Sequence, residues 1–113
     1  MIQKIEIVRG TTNTLEIYIT DAYGNAYVLG SGQKVVFGVK KEKSDKELLL
    51  KKLVSTGTSG VYKVSIVPED TAEWEPGKYW YDVGLLSDKN YYNVIEPNPF
   101  IVNENVTNRG DGE

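Results

Sequence analysis

The residues best equipped for chemistry in this chain are its carboxylates, because the other usual agents are missing. The sequence contains no cysteine and no histidine. That inventory removes thiolate nucleophiles, cysteine-based zinc sites, the commonest general base and the commonest transition-metal ligand. Glu69, Asp70, Glu73 and Glu75 cluster within seven positions. Hydrolysis by paired carboxylates needs two facing acids roughly 5–10 Å apart across a cleft, one of them kept protonated by burial. These four are neighbours along the chain, beside Pro68, where acids complement the N-terminal end of a short helix. They are read as helix-terminus residues, so no catalytic residue is assigned and the chain is expected not to be an enzyme. A small carboxylate-dependent enzyme would instead need one of these acids kept protonated in a cleft.

Asp21-Ala22-Tyr23-Gly24-Asn25 offers oxygen ligands for a hard cation in one loop. A dedicated calcium loop spaces five or more oxygens. Asp and Asn flanking Gly more often form a tight turn, so no metal site and no cofactor are assigned. The remaining chemistry is recognition by aromatic rings. There are eight Tyr, two Trp and two Phe. Trp80, Tyr91 and Tyr92 are the candidate partner contacts, as a sticky patch for protein or a stacking platform for sugar. Tyr79, Tyr81 and Phe37 are assigned to the core, with Trp74 capping its end.

Stepping from side chains to the elements that hold them, the dominant pattern is period-two alternation broken by turns about every ten residues, which marks a sandwich or barrel. Ile5 and Ile7 alternate in a first strand, and Leu15, Ile17 and Ile19 in a second. Val35, Phe37 and Val39 form a third. Leu48 and Leu50 begin a fourth that runs to Val54, and Tyr62, Val64 and Ile66 line a fifth. Residues 68–74 predict one helical turn. In the sixth strand Tyr79, Tyr81, Val83 and Leu85 share one face, with Trp80, Asp82 and Gly84 on the other. A last strand opens at Tyr91–Ile95, is interrupted by Pro97 and Pro99, and finishes at Phe100-Ile101-Val102, which implies an edge or a bulge there.

The expectation is an all-β, seven-stranded antiparallel immunoglobulin-like sandwich with one short helical turn, spanning residues 1–102. Residues 103–113 are polar and aperiodic and read as a flexible C-terminal tail. Within it, Asn105-Val106-Thr107 matches a glycosylation acceptor and Arg109-Gly110-Asp111 an integrin-binding tripeptide. Both are three-residue matches taken as chance.

The formal net charge is −3, from 13 basic and 16 acidic residues. No broad positive field is present to displace counterions from a nucleic acid or to grip an anionic membrane, so neither is an expected partner. No apolar run approaches the ~20 residues of a membrane span, and Met1–Glu6 lacks the apolar core of a signal peptide. The chain is expected to be made in the cytoplasm and to leave only within an assembly.

Five segments, in order, resemble one family. They are Val8-Arg9-Gly10-Thr11-Thr12-Asn13-Thr14-Leu15-Glu16-Ile17, Asp21-Ala22-Tyr23-Gly24-Asn25 and Val35-Val36-Phe37-Gly38-Val39-Lys40. Pro68-Glu69-Asp70-Thr71-Ala72 with Pro76-Gly77-Lys78-Tyr79-Trp80-Tyr81-Asp82-Val83 is the closest match. Phe100-Ile101-Val102 with Val106-Thr107-Asn108-Arg109 completes the set. Together they resemble the N-terminal immunoglobulin-like domain of phage baseplate upper proteins and its stand-alone relatives. Trp74 stands where that family usually has a leucine, and Pro97 and Pro99 depart from its last hairpin.

The resemblance implies a virion component of a tailed phage or prophage, made in the bacterial host cytoplasm. Its partners would be other tail or baseplate proteins, with a homo-oligomer as a further possibility. The alternative is a carbohydrate-binding adhesion module that uses the same exposed aromatics.

Overall fold

Strands with one apolar face must bury that face against another layer, and here two sheets do so. The computed structural model describes residues 4–105. In chain order these contain β1 (Ile5–Val8), β2 (Asn13–Tyr18), β3 (Gln33–Lys40), β4 (Leu50–Val54), β5 (Val61–Ile66), α1 (Pro68–Thr71), β6 (Gly77–Ser87) and β7 (Asn90–Asn103). The larger sheet has the order β1-β7-β6-β3-β4, and the smaller is the pair β2-β5. The strand order places β2 and β5 in one sheet and β3, β6 and β7 in the other, which is the immunoglobulin arrangement.

One expectation is corrected. The sheets are not wholly antiparallel, because β1 runs parallel to β7, with Ile5 beside Phe100 and Val8 beside Asn103. Alternation reveals which face of a strand is buried but nothing about its direction. After β1 the chain turns at Gly10, in the left-handed region at φ 69°, and crosses to the other sheet. β1 therefore forms no hairpin with β2, and it closes the free edge at the far end of the chain instead. Arg9 N–H extends the ladder by donating to the Asn103 carbonyl at 2.9 Å.

The core lies between the sheets. Val35, Phe37 and Val39 of β3, Tyr79, Tyr81 and Val83 of β6, and Phe100 and Val102 of β7 are buried against Ile17, Tyr62, Val64 and Ile66. Its centre is aromatic: the Phe37 and Tyr81 rings stack at 5.6 Å, and Phe100 meets Phe37 at 6.1 Å and Tyr81 at 6.3 Å. Full burial of each such side chain contributes about 1.5–3 kcal/mol. Tyr62 also fixes a loop, donating its hydroxyl to the Tyr27 carbonyl and accepting from Leu29 N–H.

Two local departures from simple alternation matter for the surface. β7 continues through both prolines without a break. It can do so because β1 borders it only from Phe100 onward, so neither proline faces a second strand that would need its missing N–H. The register against β6 also slips between Tyr81 and Val83 and again between Val83 and Gly84, which absorbs two extra β7 residues as bulges. Separately, β4 begins at Leu50 rather than Leu48. Leu48 folds over Gly38, its Cδ2 3.0 Å from where a β-carbon would stand.

α1 is one turn, begun by Pro68. The Asp70 carboxylate accepts the Val67 N–H at 2.9 Å and pairs with Lys52 of β4 at 2.8 Å. Thr71 is fully buried, and its hydroxyl accepts the Gly10 N–H at 2.9 Å. The turn is thereby tied to both sheets. β7 runs through Asn103. The remainder of the expected tail, with the two tripeptide matches and Val106-Thr107-Asn108-Arg109, falls wholly or partly outside the described residues.

Candidate functional site

The side of the larger sheet that faces away from the core is the surface on which recognition residues collect. Register defines it: on β6, Lys78, Trp80, Asp82, Gly84 and Leu86 alternate with the inward set, and Trp80, Asp82, Gly84 and Leu86 pair with Lys40, Gly38, Val36 and Lys34 of β3. Beyond β3, Lys51 and Leu53 of β4 stand opposite Gly38 and Val36. No helix or strand among the described residues packs over this face.

Trp80 is half-buried near its centre. The ammonium nitrogens of Lys43 and Lys78 lie over its ring, 4.2 and 4.4 Å from the centroid. Each such cation–π contact is worth about 0.5–1 kcal/mol when exposed. Beside the ring is a small hollow of about 70 Å³ lined by Gly38, Leu48, Trp80 and Asp82 with Lys40 and Lys43. The missing side chain of Gly38 makes room for Leu48, which forms one wall.

Tyr91 stands opposite Leu86 on the same face, and its ring covers Gly84, occupying the place a β-carbon would take. Partial burial, helped by the charge of Asp82, raises the Tyr91 phenol pKa above its ordinary 10.0. Gly84, under the Tyr91 ring, lies four residues along β6 from Trp80, so the two aromatics sit roughly 13 Å apart. Tyr92 pairs with Leu85, whose side chain is buried on the inward face. Tyr92 therefore leaves the sheet on the opposite side. Of the three residues expected to form one patch, Trp80 and Tyr91 share a face and Tyr92 does not, although all three are at least partly exposed.

Sequence reasoning missed the residues that complete this face: Leu48 at 42% exposure, Leu53 at 51%, and Lys43. A signal was present in the glycines inside two strands, Gly38 and Gly84, which mark the close approach of another group.

Two of these carboxylates, Asp21 and Asp70, are engaged structurally. Asp21 Oδ1 accepts the N–H groups of Tyr23 and Asn25 at 2.8 and 3.0 Å, which makes a turn of the loop with Gly24 at φ 85°. Asp70 is committed to Val67 and Lys52, while Glu73 and Glu75 are exposed.

A second feature follows from the small size of the β2-β5 sheet. Among the described residues β2 pairs only with β5. Its other edge borders an open cleft of about 510 Å³ lined by Ile5, Leu15, Ile17, Tyr81 and Ile95.

These features define the class as a two-sheet, immunoglobulin-type β domain. No protein-family model matches the chain, and no curated protein matches its sequence. Among solved structures it is similar to the NK cell receptor NKp44, described as a triggering partner in natural cytotoxicity. That likeness has 18% identity over 93% of this chain and 99% of the other, at a TM-score of 0.47. The extracellular domain of the voltage-gated sodium channel β4 subunit is similar at 13% identity, over 92% of each chain, at a TM-score of 0.40.

Proposed function

We propose that this chain is a non-enzymatic structural and interaction module of a tailed-phage or prophage tail or baseplate, assembling through protein–protein contacts. The observation that carries the interaction reading is the outer face of the larger sheet, where Trp80, Leu48, Leu53 and Tyr91 present apolar and aromatic surface around two glycines. Exposed surface of this composition is what a protein interface draws on. The phage assignment rests on the five ordered sequence segments that resemble the baseplate family.

A sugar platform is the rival reading. It needs an aromatic ring with an open flat side, and the lysine ammoniums over Trp80 favour a protein partner instead.

The genes beside the coding region test the assignment. Tail, tape-measure, holin or lysin genes are the expected neighbours. Polysaccharide-utilisation genes, together with glycan binding that Trp80→Ala abolishes without unfolding the domain, would replace it with the sugar reading.

A further inference from the structure

The charges of this chain are unevenly placed. On the outer face of β4, β3 and β6, register collects Lys34, Lys40, Lys51 and Lys78, and Lys43 bends over Trp80 to join them. Asp82 is the acid that these three strands add to the face, and beyond β7 the same face carries Glu6 of β1, paired with Lys4 at 3.8 Å. No carboxylate among the described residues comes within ion-pair distance of any of the five lysines. The five lysines and Asp82 together carry +4. Since the whole chain carries −3, everything else carries −7. The protein is acidic overall and basic on the outer face of these three strands.

We infer that this face is a docking surface for a second copy of the same chain, which presents an acidic surface to it. Charge complementarity selects that occupant: the face is basic, and the rest of the molecule is its acidic counterpart. It also selects the geometry. Two copies meeting face to face would set lysine rows against each other, and like charges repel across an interface. The contact is therefore head-to-tail, one copy's basic face taking a different, acidic surface of the next. The acidic surface offered is the corner that follows α1, where Glu73 and Glu75 are exposed on either side of Trp74, whose carbonyl accepts from the Arg9 guanidinium at 3.3 Å, and where Asp70 is already occupied by Lys52. Trp80, Leu48 and Leu53 supply the apolar centre of the contact, inside a ring of charge that sets the register. The inference stands on the charge layout and on the interaction reading, and it does not need the phage assignment.

Sedimentation velocity of the full chain tests it, run from micromolar to near-millimolar protein at about 50 mM and about 500 mM salt, where the screening length falls from roughly 14 to 4 Å. Species larger than the monomer are expected at low salt, reverting to monomer at high salt. Lys43→Glu with Lys78→Glu should leave a folded monomer, and so should Glu73→Lys with Glu75→Lys. An equimolar mixture of the two variants should associate again, because the unaltered face of one meets the unaltered corner of the other, and the two reversed surfaces match as well. Circular dichroism confirms that each variant is folded. If the first pair does not fold, Lys40→Glu with Lys51→Glu makes the same reversal. A monomer at every concentration in low salt overturns the inference. Association that ignores the charge reversals, or that strengthens with salt, overturns it as well. A strictly monomeric chain that still binds a tail protein would sink this inference while leaving the assembly reading in place.

Discussion

The Tyr79 hydroxyl donates to the carbonyl oxygen of Glu75 at 2.6 Å, the return bond of a tyrosine corner at the start of the sixth strand of an immunoglobulin-type sandwich. Its ring stacks on Trp74 at 4.8 Å, and Trp74 in turn meets the edge of Phe100. The corner thus joins the link after α1 to the aromatic core. Tyr79→Phe keeps the stack and loses only the bond. It is expected to lower unfolding stability by about 1 kcal/mol, read as a shift of the urea midpoint with an unchanged slope. No shift at all would mean that the bond is replaced by water at no cost.

Phe37 is fully buried and touches both other central rings. Phe37→Ala should cost about 3–5 kcal/mol. Against a typical domain stability of about 5–15 kcal/mol, that leaves a weakly folded or unfolded chain, visible as a collapsed thermal transition. A loss below about 1 kcal/mol would show that the ring is not central to the core.

Gly84 and Tyr91 are expected to couple. A β-carbon at position 84 would occupy the space of the Tyr91 ring, so Gly84→Ala alone should destabilise by about 1–3 kcal/mol through overpacking. In a Tyr91→Ala background the same change should be neutral or stabilising, since alanine suits a strand better than glycine. A double-mutant cycle reads the coupling, and additive effects would show that the ring does not rest on the glycine.

Asp70 holds the start of α1 and pairs with Lys52. The two contributions separate by mutation. Asp70→Ala should cost about 1–2 kcal/mol, because Val67 N–H loses its acceptor. Lys52→Met should cost under about 1 kcal/mol, as expected for a pair still reached by solvent. Equal losses in the two variants would show that the ion pair, rather than the cap, carries the effect.

Stability should be insensitive to pH across neutrality and fall in alkali. No histidine is present to titrate near pH 6–7. Burial raises the phenol pKa values of Tyr79, Tyr81 and Tyr91 above their ordinary 10.0. Below pH 10 these phenols are protonated in both folded and unfolded chains and leave stability unchanged. Above it the unfolded chain ionises first, so stability is lost as pH rises from 10 through the raised native values. Urea midpoints from pH 7 to 11, followed with phenolate absorbance, check the sign. Tyr79→Phe should make the alkaline fall shallower.

Much of this architecture was legible in the alternation of the strands, because burial of one face imposes a period of two that any topology must satisfy. Ile17, Val35, Phe37, Tyr62, Val64, Tyr79 and Tyr81 are buried as the pattern requires. What alternation cannot express is direction and partner, and so the parallel β1–β7 pair was not foreseen. The continuity of β7 was hidden for another reason: prolines forbid a strand only where a neighbour needs their N–H, and that depends on where β1 stops. The outer face was half legible. Trp80 and Tyr91 belong to it, but Tyr92 fell on the other side through its pairing with Leu85. Leu48 joined it only because Gly38, distant in sequence, lies beneath.

The pairing of β1 with β7 also decides how the domain would respond to pulling. Its parallel direction sends the chain into β1 at one end of the pair and out of β7 at the other. Tension along the polypeptide then acts along these strands, in shear. The bonds from Ile5–Val8 to Phe100–Asn103, with Arg9 N–H beyond them, share that load together, whereas a hairpin would open one bond at a time. A domain closed this way works as a tensile link, with its strongest resistance along the line of the chain.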